Sequence, residues 1–243
     1  GLALAARKEE LKDIKIFARN PYIDFGWYND DGFKISISYV LPIVRDMVAR
    51  HSCDFIIGGL MGVTSSDIDI LLTEVSPPNK HGFCSFGASV WGKKKAVREA
   101  KCVLAEVNEN LIRTYGDNSI HVSGIDYFVE HIYSEDDDSP VMGDLSGRKI
   151  GEPGEVERRI AEYVSTLVED GDTLQIGIGS TSEWMVPLGA LNNKVDLGWH
   201  SEITPRGVIK LVQEGVITGK HKNCNRGKAV AISLEGETKR DME

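Results

Sequence analysis

No apolar run in this 243-residue chain approaches the ~20 residues that a membrane-spanning helix needs. Nor is there an excess of basic residues: the net charge is −9, which argues against nucleic acid or an anionic membrane as the main partner. The four cysteines, Cys53, Cys84, Cys102 and Cys224, show no CxxC spacing. That excludes the usual zinc patterns and does not suggest a disulfide framework, so a reducing compartment fits best. The six histidines are scattered without HxH or HExxH, and no metal site is expected. The opening stretch "GLALAARKEELKDIK" lacks the charged start and sustained apolar run of a signal peptide and reads as an amphipathic helix. The chain starts at Gly without Met and stops at "ETKRDME", whose residue pattern is that of a new helix starting, so a fragment is expected.

At 41% hydrophobic and 27% charged, the chain is globular in composition. Its length suffices for one large or two modest domains. Buried strands are expected at 13–18, 54–60, 68–75, 102–108, 173–179, 195–199 and 229–234. Most are continuous apolar runs, which favours a sheet covered on both faces. Helical patterns fall between them. In 153–171, Val156, Ile160, Val164, Leu167 and Val168 follow helical spacing, with Pro153 near the start and Gly171 past the end. A second helix is expected over 204–215, with Thr204 as candidate N-cap before Pro205. Strands alternating with helices mean an α/β fold with largely parallel sheets covered by helices. The acidic, Gly- and Pro-rich stretch 131–155 is the best linker candidate, and we place a boundary near residue 148. The basic cluster "GKKKAVR" (92–98) reads as a solvated helix start, with contact to an anionic ligand as the alternative.

Four segments have the composition of a site. "TLQIGIGSTSEW" (173–184) runs from a strand into Gly177-Ile178-Gly179 and a helical start from about Ser182. Such glycines let a ligand approach the backbone, and the N–H groups of a helix start favour an anion or oxyanion. A plain strand–helix turn has the same pattern. No GK[ST] follows, so this is not a Walker motif. The dinucleotide fingerprint fails as well, because Ser182 stands where its third glycine belongs. "VDLGWHSE" (195–202) puts Glu202 beyond an expected strand end, on the edge where parallel α/β sheets bind ligands. Beside a backbone anion site such a carboxylate can act as nucleophile toward an activated acyl group; taken alone, a Glu after a strand is more often a solvated loop acid. "TEVSPPNKHGFCSFGASVW" (73–91) suggests a shaped loop. His81 there is read as a structural or binding residue, with general base as the alternative, whereas Cys84 has no evident base partner. In "AEVNENLIRTYGDNSIHVSGIDYFVEH" (105–131), Glu106, Asn108, Arg113 and His121 could line a site or serve the structure.

Together these segments resemble the family I coenzyme A transferases, in the acetyl-CoA hydrolase/transferase branch that includes 4-hydroxybutyrate, butyrate and acetate CoA-transferases. "VSPPNKHGFCSFGASV", "AEVNENLIRTYGDNSIHVSGID", "DGDTLQIGIGS", "LGWHSE" and "LVQEGVITGKHK" carry the resemblance and occur in the family's order. It implies two tandem CoA-transferase-type α/β domains, 1–148 and 149–243, the second incomplete. It also implies that Glu202 is the covalent nucleophile and that Gly177, Ile178, Gly179, Ser180 and Thr181 form the CoA and oxyanion turn. His81, Asn108 and Gln175 are possible pocket residues. The implied substrates are an acyl-CoA and a small carboxylic acid, with no tightly bound cofactor. A homo-oligomer (dimer or tetramer) in the cytoplasm, or in the mitochondrial matrix of a eukaryote, is expected. Departures from the family are Thr181-Ser182 after the glycine turn, Trp199 before the histidine, and the lack of proline in "NENLIRTYG". The rival readings are an acyl-CoA hydrolase on the same scaffold, a non-catalytic subunit that needs a partner chain and, more weakly, a nucleotide-binding oxidoreductase.

Overall fold

The computed structural model describes residues 2–18, 24–28, 32–57, 68–131 and 151–234. The chain divides into two compact units, Gly1–Asp67 and Ile68–Glu243. The boundary expected near residue 148, and residues 58–60 of one expected strand, lie outside the described residues.

The first unit holds α1 (Leu2–Ala6), β1 (Lys15–Ala18), β2 (Lys34–Ile37), α2 (Arg45–Ala49) and β3 (Asp54–Phe55). The strands form a parallel sheet in the order β1-β2-β3. One cluster, including Trp27, Tyr28, Phe33, Ile37, Val44 and Met47, is its core. Asp24 nucleates the turn into that core, its Oδ1 accepting from the amides of Gly26 at 2.8 Å and Trp27 at 3.1 Å. Burial, helped by the Asp24 charge, pushes the Tyr28 phenol up to about 12.

The second unit contains β4 (Ile70–Val75), β5 (Phe83–Ser85), α3 (Lys93–Glu99), β6 (Cys102–Val107), β7 (Ser119–His121) and β8 (Tyr127–Glu130). It continues with α4 (Glu155–Leu167), β9 (Thr173–Leu174), β10 (Gly198–Thr204), α5 (Val208–Gln213) and β11 (Val230–Leu234). β4, β6 and β8 form a parallel sheet in that order, and β5 pairs with β7 antiparallel. A third sheet, again parallel, runs β11-β10-β9. Its outer edge is met by residues 88–90: Ser89 bridges Ser233 antiparallel, Val90 N–H donates to Ile232 O at 3.2 Å, and Leu234 N–H to Ala88 O at 2.9 Å. The α/β class and the parallel sheets are those expected from the apolar runs.

β10 is displaced from its expected place at 195–199. Asn193 and Asp196 have φ of 64° and 56°, a left-handed conformation that Asn and Asp tolerate best among side-chain-bearing residues and that interrupts a strand. Asp196 caps the interruption by accepting from Thr218 Oγ1 and Lys220 Nζ, both at 3.0 Å. Only after it does the ladder begin, Gly198 opposite Thr173 and Trp199 opposite Leu174. Along β10 the side chains alternate: Trp199, Ser201 and Ile203 are buried, whereas His200 is exposed and Glu202 half-buried. Thr204 therefore ends a strand instead of capping a helix, and α5 starts from Gly207 at φ 88°. Around β10 the core joins Trp199, Leu197, Val208, Leu211 and Ile217 with Val168.

In α4 the inward side is Ala161 and Val164, while Val156, Tyr163 and Leu167 are exposed. The helix starts at Gly154, whose N–H donates to Glu157 Oε2 at 2.9 Å. The basic cluster lies in α3, where Lys94 pairs with Asp117 and Lys95 Nζ lies 3.8 Å from Glu99. That is the arrangement of a solvated helix surface.

Trp199 is fully buried, its indole N–H donating to Thr204 Oγ1 at 3.3 Å. Trp199→Ala should cost about 3–5 kcal/mol by leaving a cavity and an unmet hydroxyl, measured as a lowered midpoint of urea unfolding with an unchanged slope.

Candidate functional site

The register of β9 against β10 fixes what faces Glu202. Thr173 pairs with Gly198 and Leu174 with Trp199. Continued up the two chains, this offset sets Ile176 beside Ser201 and Gly177 beside Glu202. The contacts agree: Ser201 Oγ accepts from the Ile176 N–H and donates to the Ile176 carbonyl, each at 2.9 Å, and Ile203 N–H reaches Ile176 O at 3.4 Å. The neighbouring chain is thus tied to β10 by a side chain where the ladder ends.

At Gly177 the fit is close. A Cβ placed there would stand 2.9 Å from Glu202 Oε2 and 3.7 Å from Gln175 Nε2. Glycine is therefore needed for the carboxylate to lie over the backbone, and Gln175 is brought to the same place. Beyond it the chain turns. Ser182 Oγ donates to Gly177 O at 2.8 Å, and the Gly179 N–H donates to Glu183 Oε1 at 2.8 Å. Glu183 is 1% exposed. This buried carboxylate takes up the Gly179 amide and shapes the turn from inside. A short 3-10 helix, Ser182–Trp184, follows where a helical start was expected. Gly177, Ile178, Gly179 and Thr181 are half-buried and Ser180 is exposed. The turn and the carboxylate thus share one rim, accessible to a ligand.

The remaining candidates sit on other elements. His81 is exposed in the turn after β4, where Asn79 Oδ1 accepts from the His81 amide at 2.9 Å. Asn108 is 2% exposed just past β6. Its Nδ2 donates to Glu74 Oε1 at 2.6 Å and its Oδ1 accepts from the Asn110 amide at 2.8 Å. Burial pushes the Glu74 carboxyl up, against the pull of the Asn108 amide. Glu106 pairs with His131 at the same strand ends. Arg113 holds the 76–87 loop by donating to the carbonyls of Phe83, at 3.2 Å, and Pro77. His121 Nδ1 meets Ser123 Oγ at 2.8 Å, and its ring lies edge-on to Phe83. Cys84 is buried, which pushes its thiol up and disfavours a thiolate.

Sequence reasoning gave no role to three residues that meet at β10: His200 on the strand itself, and Lys222 and Cys224, which the structure brings to it. Lys222 Nζ donates to the carbonyls of Trp199 and Lys228, each at 2.8 Å. Cys224 Sγ lies 3.7 Å from His200 Nδ1. Lys222 closes the stretch "LVQEGVITGKHK" and His200 lies in "LGWHSE", but neither stretch records their approach to each other, and only the alternation of β10 would have shown that His200 shares a face with Glu202.

Residues 41–137 match the model of the acetyl-CoA hydrolase/transferase N-terminal domain. A 4-hydroxybutyrate coenzyme A transferase of Clostridium kluyveri is 44% identical over 224 residues, covering 88% of this chain and 49% of that protein. A succinyl-CoA:acetate/propanoyl-CoA:succinate CoA transferase of Fasciola hepatica is 38% identical over 239 residues, covering 95% of this chain and 48% of its own. The chain thus spans about half the length of the curated relatives it matches. Among solved structures, a 4-hydroxybutyrate CoA-transferase from Porphyromonas gingivalis matches with a TM-score of 0.68 at 26% identity, over 99% of this chain and 62% of that one. RipA from Yersinia pestis shares the fold, with a TM-score of 0.83 at 23% identity over 98% and 56% of the two chains. With these matches along nearly its whole length, the chain belongs to the acetyl-CoA hydrolase/transferase family.

Proposed function

We propose that this chain is part of an acyl-CoA:carboxylate CoA-transferase in which Glu202 is the covalent nucleophile. One observation carries the reading: the Glu202 carboxylate lies over Gly177, at the strand end where a glycine turn opens. In the first step a carboxylate oxygen attacks the thioester carbonyl carbon, the C–S bond breaks, and CoA leaves as thiolate with a mixed anhydride on Glu202. The thiolate then attacks the glutamyl carbonyl carbon, releasing the acyl group as its acid and leaving a glutamyl-CoA thioester. An acceptor carboxylate repeats the sequence in reverse and leaves with CoA. An anhydride keeps the acyl group activated, which a hydrolytic route would forfeit. Because the Gly179 amide is taken by Glu183, we assign the oxyanion to the amides of Ile178 and Ser180.

The substrates are an acyl-CoA and a small carboxylic acid of the 4-hydroxybutyrate, butyrate or acetate type, the acids named for the relatives, with no tightly bound cofactor. Gln175, beside the carboxylate, is the pocket residue best placed to touch them, and His81 and Asn108 are pocket walls. Residues 1–148 make the first CoA-transferase domain and 149–243 the start of the second. The exposed apolar residues Val156, Tyr163 and Leu167 of α4 suit contact with the rest of that second half, and the whole protein works as a homo-oligomer. Among the described residues no helix is long and apolar enough to cross a membrane. We place the enzyme in the cytoplasm, or in the mitochondrial matrix of a eukaryote.

Treating the full-length protein with acyl-CoA and then borohydride should reduce the thioester on Glu202, seen by mass spectrometry of the peptide. Modification elsewhere, or none in an active preparation, overturns the assignment. Glu202→Gln should lower kcat on the order of 10³-fold or more. Gly177→Ala pushes the carboxylate aside and should lower kcat about 10²-fold, as a misplacement of about 1 Å does. The transferase reading also requires turnover of acyl-CoA to rise with added acetate; fast hydrolysis indifferent to acetate would favour the hydrolase.

A further inference from the structure

On the face of β10 that carries Glu202, the positions that precede it are Gly198 and His200, because side chains alternate along a strand. Gly198 is covered: a Cβ there would stand 2.8 Å from Lys222 Cγ. Lys222 is 5% exposed, and burial pushes its ammonium pKa down. A buried ammonium is costly unless its donors are met. Here the carbonyls of Trp199 and Lys228 meet two of them. The cation is therefore a peg that fixes the segment 222–228 to the base of β10. Two residues on, Cys224 Sγ lies 3.7 Å from His200 Nδ1, and both side chains are exposed. That contact engages one ring nitrogen and leaves Nε2 as the second hydrogen-bonding atom. His200 thus stands on the face of Glu202, about 7 Å along the strand.

We propose that His200 is a specificity-determining residue of the acceptor site, selecting short carboxylic acids whose far end bears a hydroxyl or a second carboxylate. The inference rests on the transferase reading, in which the acceptor carboxylate must reach the carbonyl carbon of Glu202. An acid so placed, with its chain along the strand face, brings a terminal oxygen after three methylenes to the row of His200. There Nε2 bonds a hydroxyl or carboxylate, whereas a terminal methyl offers it nothing. Lys222 and Cys224 are positioning residues that hold the imidazole in that row.

The test compares 4-hydroxybutyrate with butyrate as CoA acceptors for the full-length protein, its His200→Ala variant and its His200→Gln variant. A preference for the hydroxy acid in kcat/KM of about tenfold, the worth of one hydrogen bond, should collapse toward unity in His200→Ala. It should return in part in His200→Gln, which restores a donor. A preference that survives His200→Ala, or that His200→Gln fails to rescue, overturns the proposal. On the unmodified protein, 4-hydroxybutyrate should slow alkylation of Cys224 by iodoacetamide more than an equal concentration of butyrate, and equal protection also overturns it. Borohydride trapping run alongside separates the two readings. Label on Glu202 without a hydroxy-acid preference sinks the role of His200 alone, while absence of label in an active preparation sinks the transferase reading and this inference with it.

Discussion

The parallel pairing of Thr173 and Leu174 with Gly198 and Trp199 is the constraint on which the site depends. A slip by one residue would turn Glu202 into the core and Ile203 out of it. The register is held from both faces of β10. On one, Trp199 and Ile203 are fully buried, and Ser201 ties the neighbouring chain through both groups of Ile176. On the other, Gly198 leaves room for Thr173 and the Lys222 stem. The half-buried carboxylate is therefore placed by apolar packing and a hydroxyl that lie beneath it.

Two carboxylates that meet the same glycine turn are used in opposite ways. Glu183 is buried and spends an oxygen on the Gly179 amide; Glu202 is half-buried at the rim. The first makes the turn rigid, and the second is left reachable. A glycine turn alone would be mobile, so a carboxylate that locks it from inside offsets the freedom that glycine brings.

Much of the architecture was legible in the sequence, because apolar runs such as "ILLTEV" and "CVLAEV" favour strands of a parallel sheet, although Ile70 and Leu72 are exposed where cover on both faces was expected. β10 was less so. Its polar residues His200, Ser201 and Glu202 interrupt the apolar run, and the left-handed Asp196 cuts off the Val195 start that looked like the strand. The short strands β5 and β7 are set by pairing across 119–121, a long-range contact that no local pattern records. At the site, Glu202 and Gly177 were readable through motif order. Lys222 and His200 lie in two of the ordered stretches, but their meeting with Cys224 was not readable, since it depends on how a loop with no periodicity folds back on a strand. The apolar spacing of α4 gave the helix correctly but not which side is covered, because burial depends on neighbours as well as on period.

The bridge between Ser89 and Ser233 has a consequence of a different kind. β11 lies at the border of its sheet, and its outer row of amides and carbonyls would offer a template to any passing extended chain. Residues 88–90 occupy that row antiparallel, so a piece of backbone from far earlier in the sequence guards the sheet that carries Glu202 against intermolecular strand addition and the aggregation that follows from it.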